Sequence, residues 1–144
     1  MDISGSYTFS APPERVWNLL MDPESIKSCI PGCERLDPDG EDRYRATLTV
    51  ALAAITGTYS GTVVIADKAP HNSYRLVAEG QGRPGFIKGN SLIALRADGD
   101  RTVVDVSGTV QAGGAIARVG QRLIGSVSKM MLDRFFTCLQ SKVT

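Results

Sequence analysis

One histidine in 144 residues leaves little room for imidazole chemistry. It is His71, in a Pro70-His71-Asn72 turn where a solvated side chain is expected. Ordinary zinc sites and Ser/His arrangements draw on histidine as ligand or base, so neither finds material here. Cysteine is also scarce. Cys29, Cys33 and Cys138 are odd in number and fit no disulfide framework, and Cys29 and Cys33 lack the two-residue spacing of a metal-binding pair. With no basic region and apolar run after Met1-Asp2-Ile3 to suggest export, free thiols in a reducing cytoplasm are expected. No uninterrupted apolar run approaches the roughly 20 residues that a membrane span needs. Sixteen basic against 15 acidic residues leave a net charge of +1, which gives no electrostatic case for nucleic acid. Gly80-Gln81-Gly82 misses the third glycine and the strand-to-helix setting of a phosphate-binding loop. The acidic residues fall in turns rather than pairing on apolar faces. No catalytic constellation, metal site or cofactor is therefore expected.

What is present is a patterned chain of one domain, residues 1–144. Positions 2–10 alternate as a first strand, with Ile3, Gly5, Tyr7 and Phe9 on one side. Pro12-Pro13 opens a short helix carrying Val16, Trp17, Leu20 and Met21, and Asp22-Pro23 stops it. A second short turn follows over 24–28, then a tight Ile30-Pro31-Gly32-Cys33 loop and a strand around 34–37. The Asp37-Pro38-Asp39-Gly40 turn introduces long alternating runs, the first with Tyr44, Ala46, Leu48, Val50 and Leu52 on one face. Further strands are expected over 58–67, 74–80, 86–96 and 102–110, each bounded by turn residues. Gly61, Gly80, Gly82, Gly89 and Gly108 are frequent for flat sheet. Glycine in a strand permits bends or close approach, both of which a strongly curved sheet uses, and the alternative for some of these positions is room for a ligand.

The last stretch organises the rest. From 115 to about 142, Ile116, Val119, Leu123, Val127, Met130, Met131 and Cys138 share one face of a helical wheel, flanked by Ile124 and Phe135. So long an apolar stripe needs a cover, and only the strands supply one. A long helix across a curved antiparallel sheet is the expected α+β architecture. Candidate lining of the space between them is Trp17, Leu48, Val50, Leu52, Tyr59, Tyr74, Leu123, Val127, Met130, Met131 and Phe135. These residues are either ordinary core or the wall of an apolar binding site. Leu132, Phe136 and Leu139 lie on the opposite side of the wheel, to pack on the first strand or to form a docking surface. Gly120 falls on the apolar face, where close approach to the sheet is the expected reason for it.

Several segments together resemble one family. They are Pro12-Pro13-Glu14-Arg15-Val16-Trp17, Ile30-Pro31-Gly32-Cys33, the Gly57/Gly61 and Gly80/Gly82 pairs, the run from Gly113 to Ile124, and Phe135-Phe136. The chain resembles the carbon monoxide dehydrogenase CoxG family, in the START-like, SRPBCC or helix-grip superfamily. The resemblance implies a curved seven-stranded antiparallel sheet around the C-terminal helix, with two short helices after the first strand and an apolar cavity. It further implies a non-catalytic accessory protein of a molybdenum hydroxylase of the carbon monoxide dehydrogenase type, active in membrane recruitment and in handling quinone.

The expected function is thus binding of a hydrophobic small molecule, a quinone or lipid. The expected location is cytoplasmic, with peripheral contact to the inner face of the membrane. Two alternatives stay open. One is an assembly or membrane-recruitment factor acting through Leu132, Phe136 and Leu139 without a ligand. The other is a START-like cyclase or hydrolase, for which only Arg134 and Tyr59 offer polar groups.

Overall fold

The computed structural model describes residues 1–51 and 55–143. Strand β1 (Asp2–Phe9) leads into helices α1 (Pro13–Met21) and α2 (Pro23–Cys29). Strands β2 (Cys33–Pro38), β3 (Arg43–Val50), β4 (Gly57–Ala69), β5 (Ser73–Gly82), β6 (Gly85–Asp98) and β7 (Arg101–Gly113) follow. A 3-10 helix (Gly114–Val119) and helix α3 (Gln121–Ser141) close the chain. The strands form one seven-stranded antiparallel sheet in the order β1-β7-β6-β5-β4-β3-β2. β2 to β7 are a simple meander, each strand pairing with the next, and β1 closes onto β7. Proline at the first turn starts both short helices, since its missing N–H is not needed there.

The terminal helix departs from the expected continuous rod. Residues 114–119 are 3-10, and Gly120, at φ 93°, breaks the backbone before α3 begins. A β-carbon on Gly120 would meet nothing within 4 Å, so the reason for glycine is its backbone conformation and not close approach to the sheet.

α3 is fastened along one flank. Phe136 and Leu139 are fully buried. The Phe136 ring stacks on Tyr7 of β1 at 4.5 Å and meets Phe9 edge-on at 6.5 Å. Burying one such side chain contributes about 1.5–3 kcal/mol. At the edge of this contact the Tyr7 hydroxyl donates to Asp133 Oδ1 at 2.6 Å, and Lys129 Nζ donates to the same oxygen at 2.7 Å. The lysine, then the tyrosine, holds the Asp133 carboxyl below the usual carboxylate range. Gln140 Nε2 donates to the Thr8 carbonyl at 2.8 Å, tying the last turn to the same strand. Phe136 and Leu139 therefore belong to the core and are not available as a docking surface.

The thiols also differ from expectation. Cys29 at the end of α2 and Cys138 of α3 form a disulfide, and Cys33 is the free cysteine. The partners are 109 residues apart, and docking of α2 against α3 brings their Cα atoms to 5.4 Å. Sequence spacing carries no sign of such a pairing. A cross-link of this span restricts the unfolded chain more than the folded one. Reduction, or Cys29→Ser, should lower the unfolding free energy by about 2–4 kcal/mol, measured as a fall in the denaturant midpoint, whereas Cys33→Ser should leave the midpoint in place.

Candidate functional site

Between α3 and the concave face of the sheet lies a cavity of about 330 Å³. That volume is at the lower end of the range for small-molecule sites, roughly 300–1,000 Å³. Strand register explains why space remains there. Across the middle of the sheet Ala46 pairs with Gly61, Gly61 with Gly80, Val63 with Ala78, and Ala78 with Gly89. Alternation turns Ala46, Gly61, Gly80, Ala78 and Gly89 to the same side, so the middle of the floor carries only small residues, with Leu48, Val63, Leu76 and Ile87 around them.

The glycines of this floor divide by cause. A β-carbon on Gly61 would overlap the Glu79 carbonyl, so its glycine serves strand pairing. On Gly80 a β-carbon would touch only Tyr59 Cβ at 3.8 Å, and on Gly89 only the Thr109 carbonyl at 3.9 Å. At those two positions glycine keeps open a space that a larger residue would occupy.

The roof is α3, through Ile124, Val127, Met131, Leu132 and Phe135. One end is closed by Leu20, Ile26, Ile30 and Pro31 from the two short helices and the loop after them. Towards the other end stand Ile3, Ile55, Tyr59, Ile87 and Ile116. No lysine, arginine or histidine reaches the wall among the described residues. Glu79 and Thr62 flank the bare Gly61–Gly80 pair, and alternation sends their side chains to the convex face. The wall's side-chain polarity is three hydroxyls, on Tyr59, Tyr74 and Ser128. Tyr59 donates to the Ile55 carbonyl at 2.6 Å, and burial pushes its hydroxyl pKa up.

Of the residues expected to line this space, Leu48, Val50, Tyr59, Tyr74, Val127, Met131 and Phe135 are on the wall. Leu52 lies outside the described residues. Three expectations need correction. Trp17 is buried behind the wall, its ring edge-on to Tyr74 at 5.5 Å. Leu123 is 37% exposed, and Met130 is half-buried off the wall. The two helix errors have one cause. A wheel phased from Ile116 runs unbroken through 120, whereas the break at Gly120 resets that phase and brings Ile124, Ser128 and Leu132 inward instead. Ala46, Gly80 and Gly89 also line the space: the frequency of strand glycine is the signal for the two glycines, and the alternating run that puts Ala46 on the face of Leu48 and Val50 is the signal for the alanine. The polar groups weighed for catalysis are not assembled: Arg134 is exposed and off the wall, and the Tyr59 hydroxyl is engaged. Among the described residues, no group of three or more metal-ligating side chains is placed to hold an ion.

A curved meander gripping a C-terminal helix over an apolar hollow defines a protein of the START-like class. Solved structures agree with that. A START superfamily protein from Mycobacterium smegmatis superposes with a TM-score of 0.73 at 13% identity, covering 99% of this chain and 96% of its own. The Zhui aromatase/cyclase from Streptomyces sp. R1128 gives 0.70 at 15% identity, with 99% and 93% covered. These likenesses carry the fold alone. A conserved protein from Geobacillus kaustophilus is much nearer, with a TM-score of 0.94 and 33% identity over 99% of this chain and 95% of its own. The family model for CoxG, a subunit of carbon monoxide dehydrogenase, matches residues 5–144, and the chain belongs to that family. No curated protein matches the sequence significantly.

The floor geometry makes a prediction. Gly89→Leu should fold with stability close to that of the parent while weakening uptake of the apolar fluorophore N-phenyl-1-naphthylamine at least tenfold. Thermal unfolding and fluorescence titration measure the two halves of that outcome.

Proposed function

We propose that this chain is a single START-like domain that binds a hydrophobic small molecule, a quinone or lipid, without chemically changing it. It acts as an accessory protein to a molybdenum hydroxylase of the carbon monoxide dehydrogenase type. Family membership supports the accessory role. The observation that carries the binding role is the bare apolar floor under α3. An unfilled hollow lined by hydrocarbon forfeits dispersion contacts, a loss on the order of several kcal/mol at this volume. An apolar guest restores those contacts, and each methylene it buries contributes about 0.8 kcal/mol. Among the described residues, no carboxylate side chain, histidine or basic group faces such a guest from the wall.

The proposed location is the cytoplasm, peripheral to the inner face of the membrane. Among the described residues no helix is long and apolar enough to cross a bilayer, so contact would be through a surface. A specific observation favours one end of the sheet. The β5–β6 hairpin and the 3-10 helix meet there, with the Ile116 N–H donating to the Pro84 carbonyl at 2.7 Å. Arg83, Lys88, Arg118 and Arg122 gather at that end against Asp2 and Glu79. None of these four cations forms an ion pair among the described residues. Phe86 and Leu123 stand beside them, 39% and 37% exposed, with Lys88 Nζ 5.6 Å from the centre of the Phe86 ring. Exposed apolar groups among unpaired cations suit an anionic lipid surface. This surface takes the place of the buried Phe136 and Leu139.

Organic extraction of the purified protein, followed by mass spectrometry, should release a quinone or lipid, and Gly89→Leu should yield none. A parent protein that is empty and fails to take up either class of compound would refute the binding role. For the surface, the parent should co-sediment with vesicles containing phosphatidylglycerol and not with pure phosphatidylcholine. Arg118→Glu with Arg122→Glu should reduce that association at least fivefold. Equal sedimentation of parent and variant would remove the basic end from the proposal.

A further inference from the structure

We infer that Tyr74 is the donor that fixes the polar end of the guest, and that the guest carries a neutral acceptor oxygen, such as a carbonyl, rather than a charged group. This rests on the cavity reading above and adds to it a chemical class and an orientation. Tyr74 opens β5 on the side shared by Leu76, Ala78 and Gly80, and it lines the cavity near Leu20 and Ile26. Its side chain is almost wholly enclosed, at 2% exposure. Other enclosed hydroxyls have acceptors: Tyr59 donates to the Ile55 carbonyl, Thr102 to the Ala11 carbonyl at 2.8 Å, and Ser25 to Asp22 at 2.7 Å. The Tyr74 hydroxyl has no hydrogen-bond partner among the described residues.

A buried hydroxyl left without a partner is costly, and phenylalanine would give the same ring without that cost. The Tyr74 oxygen is also not sealed in the core, because no fully enclosed side-chain oxygen or nitrogen among the described residues lacks a partner. Tyr74 is a wall residue, so the space assigned to its unpaired hydroxyl is the cavity. The ring is held in place by Trp17, which meets it edge-on at 90°. Trp17 thus acts on the site without lining it. Burial raises the Tyr74 pKa beyond the ordinary tyrosine range, so the hydroxyl remains a proton donor at any physiological pH. Ser128, the other unengaged hydroxyl of the wall, is only half-buried and remains within reach of water.

The charge of the guest follows from the same wall. A carboxylate or phosphate drawn into this hollow would find the hydroxyls of Tyr74 and Ser128 and, among the described residues, no cation, and burying an unpaired charge is strongly unfavourable. A carbonyl or ether oxygen needs only the one donor that Tyr74 supplies. The guest is then a neutral molecule with its acceptor beside Tyr74 and its apolar body lying along the glycine floor beneath α3.

The test uses the full chain and three probes: 2-decyl-1,4-naphthoquinone, 2-decylnaphthalene and dodecanoate. Affinities come from displacement of N-phenyl-1-naphthylamine. The parent should bind the naphthoquinone at least tenfold more tightly than the hydrocarbon, and dodecanoate most weakly. Tyr74→Phe should weaken naphthoquinone binding five- to tenfold and leave the hydrocarbon within twofold, which also reports that the cavity is intact. If the parent binds hydrocarbon and naphthoquinone equally, or binds dodecanoate best, the assignment of Tyr74 is overturned while the cavity reading stands. Equal naphthoquinone affinity in parent and variant overturns it in the same way. If the parent binds none of the three, the cavity reading falls and this inference falls with it.

Discussion

The attachment of α3 along a single flank is the constraint on which the rest of the molecule depends. Phe136 and Leu139 bind the helix to β1, Tyr7 and Gln140 add hydrogen bonds at the same seam, and the Cys29–Cys138 bridge holds its far end to α2. The helix is therefore fixed at a set height over the sheet by contacts that lie to one side. Its other flank, Val127, Met131 and Phe135, cannot sink further to meet the floor. At the centre of the floor, where a leucine or isoleucine would fill that gap, this sheet presents Ala46, Gly80 and Gly89.

A hollow held open in this way differs from a packing defect. Protein interiors normally approach crystalline density, and an accidental void is small because neighbours relax into it. Here relaxation is opposed from both sides, by the clamped helix above and by a hydrogen-bonded sheet below. The same rigidity that keeps the space makes it a site of fixed shape, with specificity left to the few polar atoms on its wall. That division of labour suits the proposed role of a CoxG-family chain that holds an apolar molecule. The charge pattern is similarly divided. A net charge of +1 conceals cations at the β5–β6 hairpin that are unpaired among the described residues, while in the turns at the opposite end Asp39 pairs with Arg43 and Arg45, and Asp42 with Lys68.

Much of this is legible in the chain. Alternation and turn chemistry mark all seven strands to within a few residues, because a strand's two faces and a Pro-Asp-Gly turn are set by near neighbours. The apolar stripe at the end of the chain requires a helix over the sheet. Its phase is not legible, since one residue at φ 93° rotates everything after it and a helical wheel has no means to register that. The wheel accordingly places Leu123 and Met130 inside, where the structure has Ile124 and Leu132. Trp17 is expected on the wall as an apolar residue of the first short helix, yet apolarity does not separate a wall from the layer that supports it.

By itself the sequence determined what the protein is made of: an antiparallel meander, a long amphipathic helix, a single histidine kept to a turn, and a family. These follow from contacts between residues close together in the chain. Only the tertiary structure decided which apolar residues stay uncovered, that Cys29 meets Cys138, and that the Tyr74 hydroxyl is left without an acceptor. Each of those depends on where segments distant in sequence come to rest, and that is fixed by packing across the whole molecule rather than by any local pattern.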